Sequence, residues 1–293
     1  MSPQTTRRGF SVHVFAPSGD PSGIKVIEKD NWTGRGLVIP RTMFAEARAR
    51  DELSRTGVYL LVGPSESFSL PMLYLGEGDP VRPRLDQHAG KKDFWTHAVV
   101  FTSKDQNLNK AHVQHLESRL VSLARSAKRT VLDNGNEPKP PTLSEADTAA
   151  VESFLDDVLL CLPILGFSYF DATPDSAPST IELLLRAKGI EAKGYETAAG
   201  FVVRKGSAAV GEDKLTPSMQ PFMKSLRDEL IRSGVLAPNN AGFSMTQDYV
   251  FSSPSTAAAV CLARNANGRT EWKTAEGRSL KDIQESATRE SGQ

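Results

Sequence analysis

Residues 73–88, LYLGEGDPVRPRLDQH, decide how the first half of the chain is read. An alternating apolar run ends in a Gly-rich turn that leads at once into a segment carrying Arg84 and His88 four residues apart. That spacing places both on one face of a helix, with Pro83 in the first turn, where a missing N–H costs nothing. Arg grips a phosphate with two parallel hydrogen bonds. His donates to a phosphate oxygen or takes a proton near neutral pH. A plain strand, turn and solvated helix face would use the same residues, so the surroundings must choose.

Upstream, GVYLLV (57–62) and MLYL (72–75) read as strands joined by the loop PSESFSLP. Residues 10–40 alternate as FSVHVFA, GIKVIEK and GRGLVIP, which makes two or three short strands ending near Pro40. Residues 43–54, MFAEARARDELS, read as a helix. Downstream come a strand at HAVVFT (97–102) and a longer helix from about Asn109 to Ala127. DNGNEPKPP (133–141) is broken by Gly and Pro. Ser144 then caps an acidic helix, with Asp147 three residues on, that closes the first domain near Gly166. FDATPDSAPST reads as a linker. Strands and turns resume at IELLLRAKGIEAKGYETAAGFVVRKGS, followed by a helix at 217–233. A further helix opens with Ser253 as cap and Pro254 first, and an Asn-Gly turn leads to Trp272. The mixture of strands and helices in both halves predicts an α+β fold class twice over.

In the helix KAHVQHLESRLVSLARSA, Val113, Leu116, Leu120, Val121, Leu123, Ala124 and Ala127 gather on one arc at ~100° per residue. Glu117 falls inside it. A carboxylate among core-facing residues is costly unless paired, protonated or metal-bound; an edge glutamate reaching water is the bland alternative. His112 and His115 have HxxH spacing, but no third zinc ligand lies nearby, and they read as surface residues.

Gly57-Val58-Tyr59 followed by Tyr74-Leu75-Gly76 resembles the paired strand signatures of the GIY-YIG nuclease family. Arg84 and His88 stand ten and fourteen residues after the second Tyr, as in that family, and Glu117 matches its metal-binding helix Glu in order and context. Asn134 or Asn136 matches its late Asn, and His97 is a further candidate. The loop between the tripeptides is long, and YLG replaces YIG, but no chemical group is lost. The resemblance spans roughly residues 54–140. It implies a small mixed β-sheet flanked by helices at 54–142, with residues 1–53 as a β-rich extension packed on it. The acidic helix would then occupy 143–170, the linker 171–180 and a second small α+β domain 181–293.

The implied activity is metal-dependent endonuclease cleavage of DNA, using Mg²⁺ or Mn²⁺ on Glu117 as Lewis acid. Arg84 would neutralise charge on non-bridging oxygens. Tyr59 would activate water with support from Tyr74 or His88, although a phenol of pKa ~10 needs a nearby cation to do so. The alternative is a nucleic-acid-binding protein whose nuclease fold is silent or partner-dependent. An interaction scaffold with the tyrosines as core is the third reading.

GFVVRKGS together with FSSPSTAAAVCLARNANGRTEW resembles a domain of unknown function that often follows this nuclease. It is also similar to a module of restriction and DNA-methylation proteins, which implies a nucleic-acid reader. Contacts to DNA would come from Arg82, Lys91, Lys92, Ser253, Ser255, Arg264, Arg269 and Lys273, the two serines through a helix N-terminus. A capped core helix with Trp272 closing a small core is the competing reading. The 35 basic and 35 acidic residues balance, so no global charge announces a partner. Residues 142–180 carry seven acids and no Lys or Arg, leaving the remainder net basic. Two distant cysteines outside any CxxC pattern fit a reducing cytoplasm. The apolar run Val158–Phe167 is too short for a membrane span.

Overall fold

The run GVYLLVG becomes β4 (Gly57–Gly63), in which every residue is buried, because it lies inside a sheet covered on both faces. The computed structural model describes residues 9–65, 69–170 and 181–290. Ahead of β4 run β1 (Val12–Phe15), β2 (Lys25–Lys29) and β3 (Gly34–Pro40). After it come β5 (Met72–Gly78), β6 (His97–Ser103) and the short β7 (Val131–Leu132). They form one seven-stranded sheet in the order β1-β2-β3-β6-β4-β5-β7. Only the β5–β7 pairing is parallel. The N-terminal strands therefore continue the sheet edgewise beside β6.

Alternation along β4 sends Val58, Leu60 and Val62 to one face and Tyr59 and Leu61 to the other. The first face is covered by α3 (Lys110–Ala127) and α4 (Glu145–Ile164). The second is covered by α1 (Phe44–Ala47) and α2 (Arg82–Lys91). The helix expected over 43–54 is only one turn of α-helix and a 3₁₀ turn, since Arg50 takes extended backbone between them. Asn109 caps α3 and Ser144 caps α4 through their side chains.

The chain divides into two compact units, residues 1–66 with 70–171 and residues 67–69 with 172–293. The linker expected at 171–180 lies outside the described residues. The second unit contains β8 (Leu183–Ala187), β9 (Ile190–Thr197), β10 (Gly200–Val203), β11 (Ala208–Val210), β12 (Leu236–Asn239), β13 (Gly242–Met245) and β14 (Tyr249–Phe251). Its sheets run β14-β10-β9-β8 and β11-β13-β12. Its helices are α5 (Pro221–Arg232), α6 (Pro254–Leu262), α7 (Gly268–Glu271) and α8 (Leu280–Glu290).

Helix α6 is buried from Thr256 to Leu262, which explains its run of alanines: neighbours approach from every side. The buried Arg227 of α5 donates to the Val260 carbonyl near the end of α6 and to the Val210 carbonyl of β11, satisfying acceptors that water cannot reach. The Asn-Gly turn expected before Trp272 is instead a one-turn helix opened by the Asn267 side chain. Gly268 presses so closely on α6 that a Cβ there would lie 2.2 Å from the Pro254 carbonyl oxygen.

Candidate active site

Tyr59 is fully buried, and its hydroxyl crosses the neighbouring strand at Gly76, its register partner on β5. A Cβ at position 76 would stand 2.4 Å from that hydroxyl. The glycine of the second tripeptide is therefore the groove through which the first tyrosine reaches the sheet edge. Gly76→Ala must displace the Tyr59 ring, at an overpacking cost of ~1–3 kcal/mol. Urea denaturation is expected to show that loss.

Tyr74 lies on the same face, its ring centroid 6.3 Å from that of Tyr59. Helix α2 supplies the third ring: His88 is 4.7 Å from Tyr74 and 5.9 Å from Tyr59. Pro83 does occupy the first turn of α2, and Leu85 and His88 form its buried side. Arg84 and His88, expected to hold a phosphate together, have different environments. His88 is 8% exposed, with Nε2 buried and unpartnered. Burial, then the charges of Lys92 and Arg84, push its imidazole down to about 4, so it is neutral at physiological pH. Arg84 is exposed, with Gln87 as a long hydrogen-bond partner at 3.4 Å. The guanidinium alone of the two is open to an incoming phosphate.

The Tyr59 hydroxyl is buried and has no hydrogen bond of good geometry among the described residues, with Arg84 and Tyr74 near enough to act on it. Burial first, then the charges of Tyr74 and Glu117, raise its pKa well above that of a free phenol, and Arg84 opposes this. Tyr74 is shifted upward by burial more modestly. Lys92 places its ammonium 4.2 Å from the centre of the Tyr74 ring and pairs with Asp133.

Glu117 arrives from α3, on the other face of the sheet. Among the described residues it forms no hydrogen bond and no ion pair. Burial first, then the charge of Glu77, push its carboxyl up to about 7, against Arg84 and Lys110. A half-buried acid without a partner is costly, and the cost is removed by a cation. The donor set fits Mg²⁺ or Mn²⁺, which need one or two carboxylates and otherwise take water and phosphate oxygens. No group of three or more His, Cys, Asp or Glu side chains gathers for a metal among the described residues.

Of the two asparagines, Asn134 is the one in place. Its amide oxygen accepts from the Leu75 N–H at 3.0 Å, and its amide nitrogen donates to the Leu75 carbonyl at 2.8 Å. Asn136 is exposed. His97 sits apart from the tyrosines: it faces the opposite side of the sheet from Val100 and Tyr59 and is influenced by Lys25. Arg82 donates to the Arg48 carbonyl, and Lys91 is exposed.

His112 and His115, expected at the surface, are buried. His112 lies 3.6 Å from Asp147, and His115 bonds Glu152 at 2.7 Å, where Arg119 joins it. They tie α3 to α4, which covers the flank that periodicity assigns to solvent.

In the second unit, the expected DNA-contacting groups of α6 and its surroundings are engaged internally. Ser253 caps Thr256 N, and Ser255 accepts from Gly268 N. The Trp272 indole donates to the Pro254 carbonyl and packs 4.6 Å from Phe201. Arg264 pairs with Glu271 and Arg269 with Gln284 and Glu285, whereas Lys273 bridges Leu184 and Ser279 through its backbone and leaves its side chain exposed. These contacts describe the capped core helix and tryptophan-closed core.

Sequence reading missed Glu77 and Lys110, whose ammonium donates to both Glu77 oxygens at 2.6 and 2.7 Å. The one local signal is Lys110 itself: a cation at the first residue of a helix opposes the macrodipole.

Residues 183–284 match the model of a domain of unknown function, DUF4357. No GIY-YIG model matches residues 54–142. Neither a curated protein nor a solved structure matches the chain significantly. Among the described residues, no helix is long and apolar enough to cross a membrane.

Proposed function

We propose that this chain is a metal-dependent endonuclease that hydrolyses DNA phosphodiester bonds. One observation carries the reading: the half-buried Glu117, unpartnered among the described residues, and the exposed Arg84 both act on the phenol of Tyr59, which lies across Gly76. A carboxylate, a guanidinium and a sequestered phenol make a site for a charged ester.

Arg84 holds the scissile phosphate through its non-bridging oxygens. Glu117 would hold Mg²⁺ or Mn²⁺, which would supply Lewis-acid stabilisation of the leaving oxygen. Tyr59 and Tyr74, kept as neutral phenols by burial, orient the attacking water by hydrogen bonds, and the proton it sheds passes to solvent while the leaving oxygen takes one up. His88, neutral and buried, packs on the Tyr74 ring and helps to hold it. Lys92 fixes the Tyr74 ring. The C-terminal unit guides this small site, since phosphate contacts position a protein on DNA but do not read sequence. Its reading surface lies outside the occupied N-terminus of α6. A reducing cytoplasm suits the two buried free cysteines.

The test is cleavage of supercoiled plasmid and of single-stranded DNA with Mg²⁺ or Mn²⁺, beside Glu117→Ala and Tyr59→Phe. Metal-dependent cutting by the wild type, lost in Glu117→Ala and reduced ~100-fold or more in Tyr59→Phe, is the expected result. Salt-sensitive DNA binding without turnover would instead identify a silent nuclease fold.

A further inference from the structure

The Glu77–Lys110 pair acts on Glu117 and has no part in the mechanism above. Glu77 follows Gly76 on β5, and its side chain is 13% exposed. Lys110 opens α3, two helical turns before Glu117, and its side chain is 52% exposed. An ammonium at that position is repelled by the helix N-terminus, and the first turn of α3 contains no acid to offset it. What holds it is the two-oxygen grip of the Glu77 carboxylate. With Glu77 only 13% exposed, the ammonium compensates a charge that is otherwise costly to bury.

Lys110 and Glu117 are seven residues apart and so share one face of α3, and Glu77 is the strongest charge acting on Glu117, so two carboxylates share one neighbourhood with the Lys110 ammonium, held on Glu77, and the Arg84 guanidinium. A further polar group reaches the same strand from its other face. The Tyr59 hydroxyl, in a residue with no exposed surface and with no hydrogen bond of good geometry among the described residues, lies over Gly76 and is influenced by Glu117. Acids alone do not define a site, but acids, a displaceable cation and an orphaned buried hydroxyl together do.

We propose that Glu77 is the second carboxylate of the divalent-cation site, and that Lys110 stands in for the cation until the metal displaces its ammonium from Glu77. This rests on the reading of Glu117 as metal ligand. Lys110 is then a positioning residue with two states: on Glu77 in the metal-free protein, and free to meet a substrate phosphate once the metal is bound. The arrangement lowers apparent metal affinity and keeps the carboxylate pair from standing uncompensated. Charge count tunes hard-cation affinity in oxygen sites, so removing one carboxylate and removing its competitor must act in opposite directions.

The experiment is direct Mn²⁺ binding to the full chain without DNA, by calorimetry and by the electron paramagnetic resonance signal of free Mn²⁺. It compares wild type with Glu77→Gln, Lys110→Met and Glu117→Gln, each checked for folding by near-ultraviolet circular dichroism. Glu77→Gln is expected to weaken binding at least tenfold and Lys110→Met to tighten it severalfold, a gain that loss of folding cannot imitate. Wild-type affinity in Glu77→Gln, or no gain in Lys110→Met, overturns the proposal. If Glu117→Gln alone then abolishes binding, the single-carboxylate reading survives. Absence of Mn²⁺ binding by the wild type overturns both.

Discussion

Glu117→Gln is expected to remove metal-dependent cleavage, by on the order of a thousandfold or more, while making the metal-free protein no less stable. The two halves of that result belong together. Glu117 is half-buried, has no partner and sits in the charge field of Glu77. Ionised, it destabilises the fold; an amide of the same shape carries no charge to desolvate. An ordinary structural glutamate would lose stability on the same substitution. The sign of the pH effect follows. In the unfolded chain this carboxyl takes its proton near 4.5, in the folded one at about 7. Between those values the folded state binds more protons, so this group's contribution to stability declines as pH rises through the window and is lowest above 7. Metal binding requires the carboxylate, so cleavage and Mn²⁺ affinity rise with pH over the same interval. Urea midpoints at pH 5.5 and 8.0, with plasmid cleavage measured across the range, check both. In Glu117→Gln the pH dependence of metal-free stability should be flattened.

The second large effect concerns the C-terminal unit. Arg227→Met is expected to cost that unit ~3 kcal/mol or more, a large share of what holds a domain of this size. The guanidinium is 1% exposed and joins α5 to the last turn of α6 and to β11 through two carbonyl acceptors. Its charge has no ion-pair partner among the described residues; Cys261, Glu212 and Asp228 act on it electrostatically. Methionine matches the stem but strands both carbonyls without donors. Fluorescence of Trp272, the one tryptophan of this unit, reports its unfolding in urea. The midpoint should drop sharply, while plasmid cleavage by the other unit persists at temperatures where both remain folded. An unchanged Trp272 transition would mean that water or a shifted helix replaces the arginine.

The caps and breaks of this chain are legible because they are local. Ser144, Ser253 and Pro83 depend on three or four neighbouring residues, and each does in the structure what its spacing predicts. The strands around Tyr59 and Tyr74 are legible for a related reason: their alternation matches two covered faces. Legibility fails wherever a second element decides burial. His112 and His115 fall outside the apolar arc of α3, and only the arrival of α4 makes their flank interior. Arg84 and His88 share a helical face on paper, yet a rotation of less than a turn suffices to put one beneath the tyrosines and the other in solvent. His97 has the right neighbours in sequence and the wrong parity on its strand. Glu77 and Lys110 meet across 33 positions, and nothing in either segment announces the other. Which of Asn134 and Asn136 meets β5 is likewise decided only by where the backbone of that strand lies.

Asn134 also bears on how the protein behaves in a crowded solution. Strand β7 pairs with β5 only at Met72 and Leu73, so beyond it the N–H and C=O of Leu75 would face outward, ready to recruit a strand from another molecule. One side-chain amide satisfies both groups and takes the place of a whole strand. An uncovered edge is where sheets aggregate. By closing the ladder with one residue, the chain leaves that border free of a covering strand yet unattractive to another sheet, as the proposed nuclease site would require.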